Sequence, residues 1–279
     1  MSGNRPGIAG KVFMVTAGAS GIGRASAHAI AQGGGLVGIV DVNEEGAANV
    51  ADELRSHGVK AAWFRADVRK KAELEAAADG IEAALGPIHG LAAVAGISRP
   101  SPAEDIKRSD WNDVIGISLT GCFLTCQVAG RRMVARKAGA IVTISSMDGF
   151  SAHAGRSSYC AAKYGVMGIT KTLAIEWGRH GIRTNSVAPG ITDTPAVQRA
   201  IPPEQIKNVL LDRTPLGRMG SPEDMARSVA FLLSDDASYI NGATLPVDGG
   251  LSAGYFTRWQ GADYASNGML QRGLYTPRT

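Results

Sequence analysis

Short apolar runs and amphipathic helices alternate along almost the whole of this 279-residue chain, and that alternation leaves few folds open. Residues 11–16 (KVFMVT), 36–40 (LVGIV), 60–65, 89–95, 140–145, 183–188 and 244–247 read as strands. Helices are expected between them: GIGRASAHAIAQG with Ile22, Ala25, Ala29 and Ile30 on one side, then 44–57, 70–85, 110–137 with Ser109 as its cap, and a helix carrying Tyr159 on to His180. A last one opens at Ser221-Pro222-Glu223-Asp224, with a cap, a proline at the first helical position and acids in the first turn. Strands separated by helices imply an α/β, doubly wound, seven-stranded parallel sheet covered on both faces. Such sheets bind ligands beyond the carboxyl ends of their strands. Gly21, Asp41, Asp67, Gly96, Ser146 and Pro189 all fall at those ends.

Composition narrows the function. At 44% hydrophobic the chain can bury one large core, and its 36 glycines suit tight strand-to-helix turns. The net charge of +4 is well mixed, so no nucleic-acid partner is expected. The first ten residues hold no apolar signal segment, and no run reaches the roughly 18 apolar residues of a membrane span. Cys122, Cys126 and Cys160 are odd in number and lack ligand spacing. They point to free thiols in a reducing compartment, the cytoplasm, and to no metal.

Three stretches carry chemistry. Residues Thr16 to Gly23 form a strand-to-helix turn whose free N–H groups and helix dipole suit a phosphate. Ala17, Ser20, Gly21, Ile22 and Gly23 are its candidate contacts, the glycines letting backbone approach a pyrophosphate. Asp41 follows Gly23 by 18 residues, close to the offset of an acid that binds adenosine-ribose hydroxyls. A carboxylate there repels a 2′-phosphate by on the order of 4 kcal/mol at 4 Å, and no Lys or Arg follows at once, which favours NAD over NADP. Asp41 is also placed to cap the helix from Glu44. Tyr159 and Lys163 stand four apart on one helix face, so the ammonium can favour the phenolate. Lowering a phenol by three units requires roughly 4 kcal/mol.

With these residues in place the chain resembles the short-chain dehydrogenase/reductase family from Gly10 to Gly250, and so a Rossmann-type fold. Tyr159 and Lys163 match its Tyr-x-x-x-Lys, and Ser146, 13 residues earlier, its catalytic serine. Pro189-Gly190 matches the turn that receives the nicotinamide end, with Thr192 and Thr194 behind it. Gly217-Arg-Met-Gly-Ser-Pro-Glu-Asp224 and Asp248-Gly249-Gly250 match two late motifs. The resemblance implies an NAD-dependent oxidoreductase interconverting a secondary alcohol and a ketone. Tyr159 would be the acid/base, Lys163 its support and a ribose contact, and Ser146 the donor to the substrate oxygen. Cofactor contacts would include Asp67, Val68, Ala93, Ala95 and Gly96. Asp148 and His153 lie between Ser146 and Tyr159 and are candidate substrate contacts, with Arg156 in the same loop. The substrate is a small molecule, and a homo-oligomer, dimer or tetramer, is expected.

Three departures bear on this. Ala17 replaces the first glycine of the phosphate turn and is expected in an ordinary backbone conformation. Ala93-Val94-Ala95-Gly96 replaces Asn-Asn-Ala-Gly. Ser118 stands where the family has an active-site asparagine that holds a water relay, and a hydroxyl reaches less far. These leave two other readings open: a non-catalytic NAD-binding scaffold, and an epimerase or dehydratase on the same fold. Residues 194–211 read as a lid. The domain is expected to span 1–250, with 251–279 a C-terminal extension docking on a neighbouring subunit or over the substrate mouth.

Overall fold

A computed structural model describes residues 5–206 and 211–254. The strands are β1 (Val12–Thr16), β2 (Leu36–Asp41), β3 (Ala61–Arg65), β4 (Ile88–Ala93), β5 (Gly139–Ile144), β6 (Ile182–Pro189) and β7 (Thr244–Val247). They form one seven-stranded sheet in the order β3-β2-β1-β4-β5-β6-β7, with every neighbouring pair parallel. This is the doubly wound, single-domain arrangement expected, and its strand order reverses between β1 and β4.

Alternating side chains split the core into two layers. Phe13 and Val15 face one cluster and Val12 and Met14 the other. The first cluster takes α1 (Gly21–Gln32), α2 (Glu44–Ser56) and α9 (Pro222–Leu233). The second takes α3 (Lys71–Leu85), α5 (Cys122–Arg136) and α6 (Ser157–Gly178). Ser221 and Asp224 form the capping box of α9, each side chain accepting the other's backbone N–H.

Several boundaries differ from expectation. α4 (Arg108–Ile115) opens at Lys107 with no side-chain cap, so Ser109 lies inside the helix. A π-turn, Gly116–Gly121, then widens the helix before α5. The run from Arg108 to Arg136 is long and apolar enough to cross a membrane by composition alone, but Cys122, Cys126, Val128, Ala129 and Met133 pack in the core. Asn43, not Asp41, caps α2 by accepting the Gly46 N–H. In the expected lid, α7 (Pro195–Ala200), capped by Thr194, and the single turn α8 (Pro203–Gln205) are described, whereas 207–210 lie outside the described residues. So does the C-terminal extension from residue 255 onward.

Candidate active site

The phosphate turn joins β1 to α1. A Cβ on Gly23 would stand 2.0 Å from the Ala17 carbonyl oxygen, so only glycine fits under the turn. Ala17 has φ 52, the left-handed region that favours glycine, contrary to expectation. The turn imposes the conformation because the chain must reverse between strand and helix. Ser20 is the N-cap of α1 but makes no side-chain cap bond, and Ile22 packs against the first core cluster. A Cβ on Gly21 would lie 3.5 Å from Thr194 Cγ2, so the segment after β6 closes over the turn.

Asp41 ends β2 with both carboxylate oxygens in use. Oδ2 accepts the Ala19 N–H at 3.0 Å and Oδ1 the Asn43 N–H at 2.9 Å. Arg65 is its neighbour across the strand pair, but Arg65 is held by Glu73 at 2.9 Å and Glu44 at 3.6 Å. Arg24, at the phosphate turn, is likewise held by Glu53 at 2.8 Å. Asp67 is buried and gripped by Arg69, whose guanidinium holds its carboxyl below the usual range. Val68 is buried against Gly121.

Beyond β4, Thr16 ties the end of β1 to the end of β4. Its Oγ1 accepts the Val94 N–H at 3.0 Å and the Ala95 N–H at 3.4 Å, fixing the chain between Ala93 and Gly96. Thr16 opens the turn in the sequence, but no local signal marks this contact across 78 positions. On the far side Thr192 is buried and donates to the Gly190 carbonyl at 3.1 Å, just after Pro189.

β5 delivers the reactive cluster. Ser145 Oγ donates to the Lys163 carbonyl at 3.0 Å, tying the strand end to α6. Ser146 Oγ accepts the Asp148 N–H at 3.1 Å. Lys163 is buried; its Nζ donates to the Ile144 carbonyl at 2.8 Å and lies 5.5 Å from the Tyr159 ring centroid. A Cβ on Gly96 would stand 3.2 Å from that Nζ and 3.6 Å from Ser118 Oγ, so glycine is what lets these groups meet. Ser118 is fully buried in the π-turn; its hydroxyl donates to the Ile97 carbonyl and accepts the Ile97 N–H. A relay through Ser118 would require breaking that contact.

The phenol differs from expectation. Tyr159 keeps some exposure as a residue, yet burial of its hydroxyl end pushes the pKa up to about 12. A hydrogen bond with Ser146 acts in the opposite direction, and the Asp148 charge adds to the rise. Lys163, expected to pull the phenol down, does not do so here: its ammonium is turned to Ile144 and burial lowers its own pKa to about 8.

Asp148 and His153 are brought together. His153 Nδ1 donates to Asp148 Oδ1 at 2.6 Å; the acid side chain is 9% exposed and the imidazole 36%. That bond raises the His153 pKa against the effect of burial. Arg156 Nη1 donates to Ser98 Oγ at 2.6 Å across the mouth.

The reversed strand order with a glycine turn at its switch point is that of a nucleotide-binding α/β protein. The family described as Enoyl-(Acyl carrier protein) reductase matches residues 16–252. The chain is 40% identical to D-threitol dehydrogenase of Mycolicibacterium smegmatis over 241 residues, covering 86% of this chain and 92% of that one. It is 44% identical to cis-4-hydroxycyclohexanecarboxylate dehydrogenase of Sinomonas cyclohexanicum over 247 residues, 88% and 98% of the two chains. The crystal structure of levodione reductase superposes with a TM-score of 0.85 at 34% identity, covering 88% of this chain and 99% of that one. The chain belongs to the short-chain dehydrogenase/reductase family. It is an oxidoreductase acting on CH–OH groups, with the nicotinamide cofactor its family uses.

Proposed function

We propose an NAD-dependent dehydrogenase that interconverts a secondary alcohol and a ketone. The observation that carries this is the gathering of Ser146, Tyr159 and Lys163 at the carboxyl edge of the sheet, with the Lys163 Nζ 5.5 Å from the Tyr159 ring centroid and Ser146 near enough to the phenol to favour its ionised form. The bound nicotinamide would take up or return the hydride at the carbinol carbon. Tyr159 Oη gives a proton to the carbonyl oxygen in reduction and takes one from the alcohol in oxidation. Ser146 donates to the same oxygen as charge develops there. Lys163, whose Nζ ties α6 to the Ile144 carbonyl, would bind the nicotinamide ribose. Ser118 acts by holding Ile97, and with it the loop that sets Gly96 against Lys163.

The turn between Ala17 and Gly23, closed tightly enough that only glycine fits at Gly23, would hold a pyrophosphate at Ala17, Ser20, Gly21 and Ile22, where α1 begins. Asp41 would hold the adenosine ribose, and Asp67 and Val68 the adenine. Ala93, Ala95 and Gly96 would line the middle, with Pro189, Gly190, Thr192 and Thr194 at the nicotinamide end. NAD is favoured over NADP because Asp41 is negative while Arg65, its neighbour across the strand pair, is already bound to carboxylates. Asp148 and His153 face the substrate. Relatives that act on threitol and on a hydroxycyclohexanecarboxylate support a polyol or cyclic alcohol as substrate.

Exposed Phe123, Tyr164 and Ile175 on α5 and α6 support a homo-oligomer, dimer or tetramer. Three buried free cysteines suit the cytoplasm. Tyr159→Phe tests the reading: turnover, followed by nicotinamide absorbance, falls by about 10²-fold or more while NAD binding stays nearly intact. Unchanged activity in that variant removes the assignment.

A further inference from the structure

Arg156 stands just before Tyr159, at the N-terminal end of α6. Its bond to Ser98, with the Ser101 N–H donating to the Gly155 carbonyl at 3.0 Å, staples the loop before α6 to the loop after β4. The guanidinium is therefore held at the mouth, and its charge reaches both the Tyr159 phenol and His153. Arg156 is half-buried, and among the described residues no carboxylate pairs with it. A carboxylate seated there would give the guanidinium the counter-charge it lacks among the described residues. The nearby acid does not serve: Asp148 is engaged by His153 at 2.6 Å. Ser98 occupies Nη1, which leaves the Nε–Nη2 edge, and that edge matches two parallel bonds to a carboxylate. Arg213, whose charge also reaches His153, adds a second positive group on the same side.

We propose that Arg156 is a specificity-determining anchor for a carboxylate on the substrate, so that the site takes secondary hydroxy acids and their keto acids in preference to neutral alcohols. The inference rests on the hydride-transfer reading above. Arg156 would grip the acid end while the carbinol lies at Ser146 and Tyr159.

The test compares matched acid and amide ligands on the full-length protein. Binding of cyclohexanecarboxylate and cyclohexanecarboxamide to the NAD complex is measured by titration calorimetry. Turnover is measured on 4-hydroxycyclohexanecarboxylate and its amide. Wild type should bind the acid about thirtyfold more tightly than the amide, the size of one charge-assisted pair, and should turn it over preferentially. Arg156→Gln, which keeps a donor for Ser98, should collapse both ratios towards unity, and Arg156→Lys should restore part of each. Equal handling of acid and amide by wild type overturns the proposal. So does a loss in Arg156→Gln that is the same for both ligands, which marks a purely structural staple. Failure of the hydride-transfer reading would appear instead as activity surviving in Tyr159→Phe, whatever the acid-to-amide ratio.

Discussion

The Ser118 hydroxyl donates to the Ile97 carbonyl at 3.1 Å and accepts the Ile97 N–H at 3.0 Å, so one side chain satisfies both backbone groups of one residue. Ser118→Ala leaves two part-buried polar groups without that partner. A loss of about 1–3 kcal/mol in stability is expected, together with reduced kcat as the loop at Gly96 shifts against Lys163. Denaturant unfolding and steady-state rates on the same preparation check both. Full stability and full kcat in the variant would show that Ser118 holds nothing.

Ala17 occupies a left-handed conformation at φ 52. Ala17→Gly should stabilise the protein by on the order of 1 kcal/mol, because the Cβ clash disappears and exceeds the added freedom of the unfolded chain. Ala17→Val should destabilise it, a β-branched side chain being worse still at positive φ. Thermal unfolding of the pair, compared with wild type, gives the sign directly.

Cofactor preference should respond to Asp41. Asp41→Ser removes the charge facing a 2′-phosphate and should shift the kcat/KM ratio towards NADP by about ten- to a hundredfold. Arg65 stays engaged by Glu44 and Glu73, so the preference should not invert fully. Adding Glu44→Gln frees part of Arg65 and should carry the ratio further. An unchanged ratio in Asp41→Ser would place discrimination elsewhere.

The two directions of reaction should diverge with pH. Burial pushes the Tyr159 phenol up to about 12, so it is protonated through the neutral range and ready to donate. Oxidation needs the ionised phenol, so log kcat/KM for the alcohol should climb with a slope of about one per pH unit from roughly pH 6 to 8. Reduction should stay level or fall over that window. Lys163 is lowered to about 8 but its ammonium is turned to Ile144 and not to the phenol, so the oxidation limb should keep climbing above that value.

The His153 imidazole should titrate under the control of its bond to Asp148. Its bond raises the His153 pKa above 6.5. The stability it contributes is fully present below the unfolded value and is lost as pH rises through the folded one. Asp148→Asn should bring the His153 resonance in an NMR titration back towards 6.5 and remove that pH-dependent stability. An identical titration in both proteins would show that Asp148 does not hold the imidazole.

Much of this architecture is legible in the residues. The runs at 11–16 and 36–40 are apolar throughout because both faces of a parallel sheet are covered, and they become β1 and β2 almost unchanged. Ser221 to Asp224 announces α9 because the cap is made by its own side chains. The start of α4 is not announced, since Lys107 offers no capping oxygen and the helix is held by packing. Ala17 misleads because the turn's geometry, not the residue's preference, decides φ. The phenol's pKa is not legible because spacing on a helix gives proximity to Lys163 but neither the direction of its ammonium nor the depth of burial. Arg156 and Ser98 are 58 positions apart, a contact that only the folded sheet makes.

The π-turn at Gly116–Gly121 has a consequence for how this helix tolerates change. The wide turn holds about one residue more than an α-turn, so excising one amino acid from it would leave a regular α-helix whose downstream part stays nearly in phase. Cys126, Val128 and Met133 would stay on the sheet, but Ser118 would lose its station beside Ile97. A single-residue deletion there should therefore damage catalysis more than folding, whereas the same deletion inside α5 would turn the buried stripe by about 100° and cost the fold.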